Sequence, residues 1–86
     1  MKLVFDPVAA KRLAGLQPKT ARRMRDRLEA IADNPFATHA NVERLKGEAD
    51  TFRLRQGDWR ALYWIDRARG EMRVVRIGPR GEVYGR

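Results

Sequence analysis

The run Phe52-Arg53-Leu54-Arg55-Gln56-Gly57-Asp58-Trp59-Arg60-Ala61-Leu62-Tyr63-Trp64-Ile65-Asp66 dictates the architecture of this chain. Residues 52–56 alternate apolar and basic with period two, Gly57-Asp58 supplies a turn, and an aromatic and apolar run follows, so the segment predicts a β-hairpin. Successive side chains of a strand point to opposite faces. Phe52 and Leu54 then share one face and Arg53 and Arg55 the other, while Trp59, Ala61, Tyr63 and Ile65 oppose Arg60, Leu62 and Trp64. One face of the hairpin needs an apolar covering layer, and Trp59 and Tyr63 are assigned to the core beneath it.

The flanking segments supply that layer. Downstream, Arg67-Ala68-Arg69-Gly70 turns into a last strand over Met72 to Ile77, and Gly78-Pro79-Arg80-Gly81 breaks it before Glu82-Val83-Tyr84. Upstream, Phe36 to Asp50 is mostly polar without sustained period and predicts a connecting loop anchored by Val42, Leu45 and the turn residue Gly47. It holds His39, the only histidine, read as a solvated side chain. At the N-terminus, Met1 to Phe5 is a short strand pattern, and Asp6-Pro7 offers an N-cap followed by proline at the first helical position. Ala9, Leu13 and Leu16 mark one face of a first helix that Gly15 and Pro18 end. Ala21, Met24, Leu28 and Ile31 mark a second, from Pro18 to about Asp33, whose other faces carry Lys19, Arg22, Arg23, Arg25 and Arg27. Asn34-Pro35 stops it. The order predicts an α+β domain spanning residues 1–86: an N-terminal strand and helical hairpin packed on one face of a mostly antiparallel four-stranded sheet, whose other face stays open.

Composition narrows the function. Eighty-six residues bury only about 60–65% of the surface of the unfolded chain, enough for one thin core and too little for a two-lobed enzyme with a deep pocket. The absence of cysteine excludes disulfide scaffolds, zinc fingers of the cysteine type and thiolate catalysis, and leaves the cytoplasm as the expected compartment. No apolar stretch reaches signal-peptide or membrane-span length, so a soluble, unprocessed protein without a membrane partner is expected. Lys+Arg total 19 against 11 Asp+Glu, a net charge of +8, and lysine occurs only at positions 2, 11, 19 and 46. Such a surface favours anionic partners, and arginine's planar fork suits phosphate and bases.

The open sheet face concentrates that charge. Arg53, Arg55 and Arg60 on adjacent strands fall within about 10 Å of one another, given the usual strand spacing. Like charges so close repel, and a polyanion relieves the repulsion. Arg80 follows the last strand at a glycine-rich break with Tyr84 four residues on, a cation and an aromatic at the rim of the same face. Trp64, on the face with Arg60, is a further surface for stacking a base or binding a partner. Cations for phosphate and aromatic rings for bases are what a single-stranded RNA groove requires.

These residues resemble a known family. Leu45-Lys46-Gly47, then Phe52 to Tyr63, then Val75-Arg76-Ile77-Gly78-Pro79-Arg80 and Val83-Tyr84, are similar to the signature of the RelE/ParE toxin superfamily, and of its RelE branch in particular. The resemblance covers nearly the whole chain and implies a small RelE-like fold. It also implies a toxin of a type II toxin-antitoxin system: a ribosome-dependent endoribonuclease that cleaves mRNA, blocks translation and is silenced by a cognate antitoxin. Neither a metal nor a small-molecule cofactor is implied. Matched by position, Arg53 and Arg55 correspond to two basic residues of the first hairpin strand, and Arg60 to the arginine that holds the scissile phosphate. Arg80 corresponds to the group that protonates the leaving oxygen, and Tyr84 to the aromatic that orients a nucleotide. The expected antitoxin is rich in Asp and Glu in its C-terminal half, complementary to the arginines. Two other readings stay open: a ParE-like inhibitor of DNA gyrase without chemistry of its own, and a basic RNA- or DNA-binding module.

The sequence departs from the family pattern in two respects. Arg53 and Arg55 stand where lysines are usual, and a guanidinium, protonated at any working pH, stabilises a phosphorane but does not take a proton. The same chemistry assigns Arg80 to electrostatic support of the leaving oxygen. Pro79 stands where many relatives carry histidine, which removes one acid-base candidate. The chain also ends at Arg86, short of a C-terminal helix that some relatives have, so a partner that completes the fold is expected to cover the last strand.

Overall fold

The computed structural model describes residues 1–83. Strand β1 (Lys2–Phe5) leads into helices α1 (Pro7–Gly15) and α2 (Pro18–Asp33), followed by β2 (Val42–Arg44), β3 (Thr51–Gln56), β4 (Trp59–Asp66) and β5 (Glu71–Pro79). The strands form one sheet in the order β1-β5-β4-β3-β2. The β1–β5 pair is parallel and the other three pairs are antiparallel. No helix among the described residues is long and apolar enough to cross a membrane.

The sheet has five strands rather than the expected four. The additional one, β2, lies inside the segment read as a loop. Three residues are too few for period two to emerge, yet Val42, Glu43 and Arg44 pair with Leu54, Arg53 and Phe52. Val42 packs on the core, and the Arg44 guanidinium lies 5.8 Å from the centre of the Phe52 ring.

Proline occupies the first turn of both helices. Asp6, expected to cap α1, makes no side-chain cap bond. Its carboxylate instead pairs with Arg73 of β5 at 2.6 Å, because the parallel β1–β5 ladder brings the end of β1 alongside that strand. A charge-assisted bond to a guanidinium outcompetes a neutral amide at a helix end that already has proline in place of one donor.

The core lies between the helices and one sheet face. Ala9 and Leu13 of α1 and Met24, Leu28 and Ile31 of α2 pack with Leu54, Ala61, Tyr63, Ile65, Met72, Val74 and Ile77. Half-buried Trp59 and Phe52 join them, the latter stacked on Tyr63 with ring centres 5.3 Å apart. The β4–β5 register jumps between Leu62 and Tyr63, which pair with Arg76 and Val74. Val75 is the extra residue. This bulge lets Met72, Val74 and Ile77 all face the helices although strict alternation would turn Ile77 outward.

Burial pushes the Tyr63 phenol up from 10.0 to about 12, against an opposing influence of the Arg27 charge. The folded state holds that proton more tightly than the unfolded chain, so stability is intact below the unfolded value and declines as pH rises through the folded one. Urea unfolding between pH ~9 and ~12 is expected to show a loss of about 2 kcal/mol that Tyr63→Phe removes. An unchanged slope in that variant would place the alkaline sensitivity elsewhere.

Candidate functional site

Alternation along β3 turns Arg53 and Arg55 to the face away from the helices. The antiparallel register sets Arg60 directly opposite Arg55, and Glu43 of β2 opposite Arg53. Arg80 follows β5 immediately, and its backbone N–H donates to the Asp58 carbonyl at 2.8 Å, which ties the end of β5 to the β3–β4 turn. The four arginines line one cleft of about 460 Å³ together with Glu43 and Asn41.

Each guanidinium is held differently. Arg53 donates through Nε and Nη2 to Glu43 Oε1, at 3.1 and 2.5 Å, and through Nη1 to the Val83 carbonyl at 3.0 Å. Its charge is matched locally. Arg55 Nη2 donates to Asn41 Oδ1 at 2.7 Å. Arg60 Nη1 curls back to the carbonyls of Gly57 and Trp59, at 2.9 and 3.0 Å. Among the described residues, neither Arg55, Arg60 nor Arg80 has an acidic partner. Three cations without an ion-pair partner among the described residues therefore share one concavity, with Asp58 at its edge, and their mutual repulsion opposes folding.

The turn after β5 completes the wall. Gly78 lies opposite Arg60 in the ladder and is buried, and a Cβ there would stand 2.9 Å from Val83 Cγ2. The missing side chain is the space into which Val83 folds. That packing delivers the Val83 carbonyl to Arg53, while Glu82 N–H closes on the Pro79 carbonyl at 3.0 Å and Gly81 takes φ 89°.

Not every residue singled out in the sequence joins this cleft. Trp64 is on the same sheet face but four residues beyond Arg60, roughly 13 Å along the strand. It lines a separate depression with Leu62 and Val75. Tyr84 lies outside the described residues. His39 is away from the cleft, its Nε2 2.8 Å from the Asn34 carbonyl oxygen. Glu43, Asn41 and the Gly78–Val83 contact were not singled out. The first two sit in or beside a strand too short to show a pattern, and the third is a tertiary contact that no local signal announces.

The fold matches several solved toxins. The isolated RelE toxin of E. coli superposes with a TM-score of 0.81 at 20% identity, covering 95% of this chain and 86% of that one. RelE in the RelE-RelB complex of Pyrococcus horikoshii gives 0.79 at 22% identity, covering 95% and 97%. The RelBE2 toxin-antitoxin complex of Mycobacterium tuberculosis gives 0.73 at 25% identity, covering 92% and 96%. No match was found among curated proteins. An α+β domain of this topology thus has the RelE fold. Residues 3–84 also match the model of the ParE toxin of the type II toxin-antitoxin system, parDE, and the chain belongs to that family, within the RelE/ParE superfamily.

The Gly78–Val83 contact gives a direct test of how the cleft is built. Gly78→Ala is expected to lower stability by about 1–2 kcal/mol, since the new methyl group overpacks a filled site. Amide exchange should accelerate at Glu82 while the Asp6 amide, bonded to Val74 in the sheet, keeps its protection. Equal protection at Glu82 in both proteins would show that Val83 does not set the turn.

Proposed function

We propose that this protein is a toxin that cleaves mRNA on the ribosome and thereby inhibits translation in the cytoplasm. The observation that carries the reading is the convergence of Arg55, Arg60 and Arg80, all without acidic partners among the described residues, on a cleft that also holds a carboxylate. Guanidinium groups in that array suit a phosphodiester, and the charge that develops on a phosphorane strengthens each contact.

The reaction needs no bound nucleophile, because RNA carries its own. The ribose 2′-hydroxyl attacks the adjacent phosphorus, the P–O5′ bond breaks, and the products are a 2′,3′-cyclic phosphate and a 5′-hydroxyl. The attacking oxygen must lose a proton, which no arginine accepts. Glu43 is the carboxylate that lines the cleft, and in this mechanism it takes that proton while Arg53 holds it in place. Arg60, fixed by two carbonyls, holds the phosphate, and Arg80 supports the leaving O5′ until water or the ribosome protonates it. Arg55 adds a third cation to the scissile region, and Tyr84 stacks on a nucleotide. Trp64 serves a base further along the strand, outside the cleft.

An antitoxin rich in acidic residues is the expected partner. RelE proteins of E. coli and P. horikoshii occur in complexes with RelB. The uncompensated arginines of this chain call for the same kind of neutralisation.

Primer extension on a message translated in a purified system tests the reading. Wild-type protein should give discrete cuts that require ribosomes. Arg60→Ala and Arg80→Ala should each lower the cleavage rate about 10²–10³-fold, as loss of one preorganised charge contact does. Glu43→Gln should lower it about 10²–10⁴-fold, the usual contribution of a general base. The ParE affiliation favours a second reading, inhibition of DNA gyrase without cleavage. An intact message together with blocked supercoiling by purified gyrase would establish that reading instead.

A further inference from the structure

We propose that Asn41 is a positioning residue that presents Arg55 to phosphate without neutralising it, an inference that rests on the anion-binding reading of the cleft. Asn41 immediately precedes β2 and has φ 61°, in the left-handed region that asparagine tolerates better than other side chains. From there it grips Arg55 twice. Its carbonyl accepts the Arg55 backbone N–H at 2.8 Å, and its Oδ1 accepts Arg55 Nη2 at 2.7 Å. One residue thus fixes both the strand position and the tip of an exposed, otherwise free side chain.

The chemistry of the clamp distinguishes it from its neighbour. Arg53, on the same strand and face, is held by a carboxylate and loses its net charge to it. An aspartate at position 41 would hold Arg55 equally well and would subtract a charge from the cleft. Asparagine provides the acceptor and leaves the charge whole. Since a guanidinium only donates, the amide must turn Oδ1 toward it, and a single Nη2 bond leaves most of the five donors for an incoming anion. Ordering the side chain in advance lowers the entropic cost of binding.

Glycine shares asparagine's access to positive φ and retains the backbone acceptor, so Asn41→Gly removes the side-chain clamp alone. The test measures binding of a short single-stranded RNA, 2′-O-methylated to prevent cleavage, to the full chain by fluorescence anisotropy. Asn41→Gly is expected to weaken binding about threefold to tenfold, the range of one hydrogen bond. Asn41→Asp should weaken it at least as much although it keeps the acceptor. Arg55→Ala should abolish the dependence on position 41, so that adding Asn41→Gly to it changes nothing further. Wild-type affinity in Asn41→Gly or Asn41→Asp, or an undiminished effect on the Arg55→Ala background, overturns the proposal. If the wild-type protein binds no RNA, the anion-binding reading fails by itself. The clamp is then judged by ¹⁵N relaxation of the Arg55 Nε–H group, expected to be ordered in the wild type and mobile in Asn41→Gly. Equal order in both overturns it.

Discussion

Arg55 and Arg60 face each other across the β3–β4 ladder, and the rest of the molecule accommodates that pair of like charges. In water, two unit charges about 5 Å apart repel by about 1 kcal/mol, and Arg80 at the same cleft adds to the strain. The strands bear it because their other face is buried. Leu54 and Ala61, flanking the pair on the helix side, are fully covered, as are Met72 and Val74 beyond them. Burial of one such large apolar side chain contributes about 1.5–3 kcal/mol, so the core outweighs the repulsion several times over. The helical hairpin is therefore the counterweight that allows several closely spaced cations on the other face of a domain of this size.

Most of the architecture was legible because it depends on local periodicity. The alternation in 52–66 located the hairpin and its two faces, the three- and four-residue spacings located both helices, and prolines marked their starts. What escaped was set by tertiary contacts. Three residues of β2 present no period, and only their pairing with β3 makes them a strand. The sheet edge is thus one strand further out than local pattern indicates. Asp6 reads as a cap, yet its carboxylate is drawn to Arg73, which is 67 residues away in sequence. The bulge at Val75 cannot be inferred from β5 alone, since it is a mismatch between two strands.

The site divides along the same line. Arg53, Arg55 and Arg60 lie on one face by alternation, and the structure brings them together with Arg80. Trp64 obeys the same alternation but is carried out of the cleft by strand length, because period two specifies a face and leaves the position along it open. Glu43 and Asn41 enter the cleft from β2 and its approach, so the error about that segment concealed both. The one carboxylate that lines the cleft, Glu43, thus sits on the strand that periodicity does not reveal.

Four arginines with one formal charge each are not four equivalent groups here. Arg53 is bound to a carboxylate and a carbonyl, and so serves the wall of the cleft as well as its charge. Arg55 and Arg60 are restrained by neutral oxygens, which cost little charge and remove conformational freedom. Arg80 has no side-chain partner among the described residues and is placed through its backbone alone. This gradation follows from what lies opposite each residue: Glu43 in the β2–β3 register, Asn41 at a left-handed turn, a hairpin's own carbonyls, and a glycine-rich break. A cleft built this way keeps its positive potential while ordering most of its cations. The planar guanidinium fork suits both positions: Arg53 reaches the Glu43 carboxylate and the Val83 carbonyl at once, and Arg55 reaches the Asn41 amide oxygen with donors to spare.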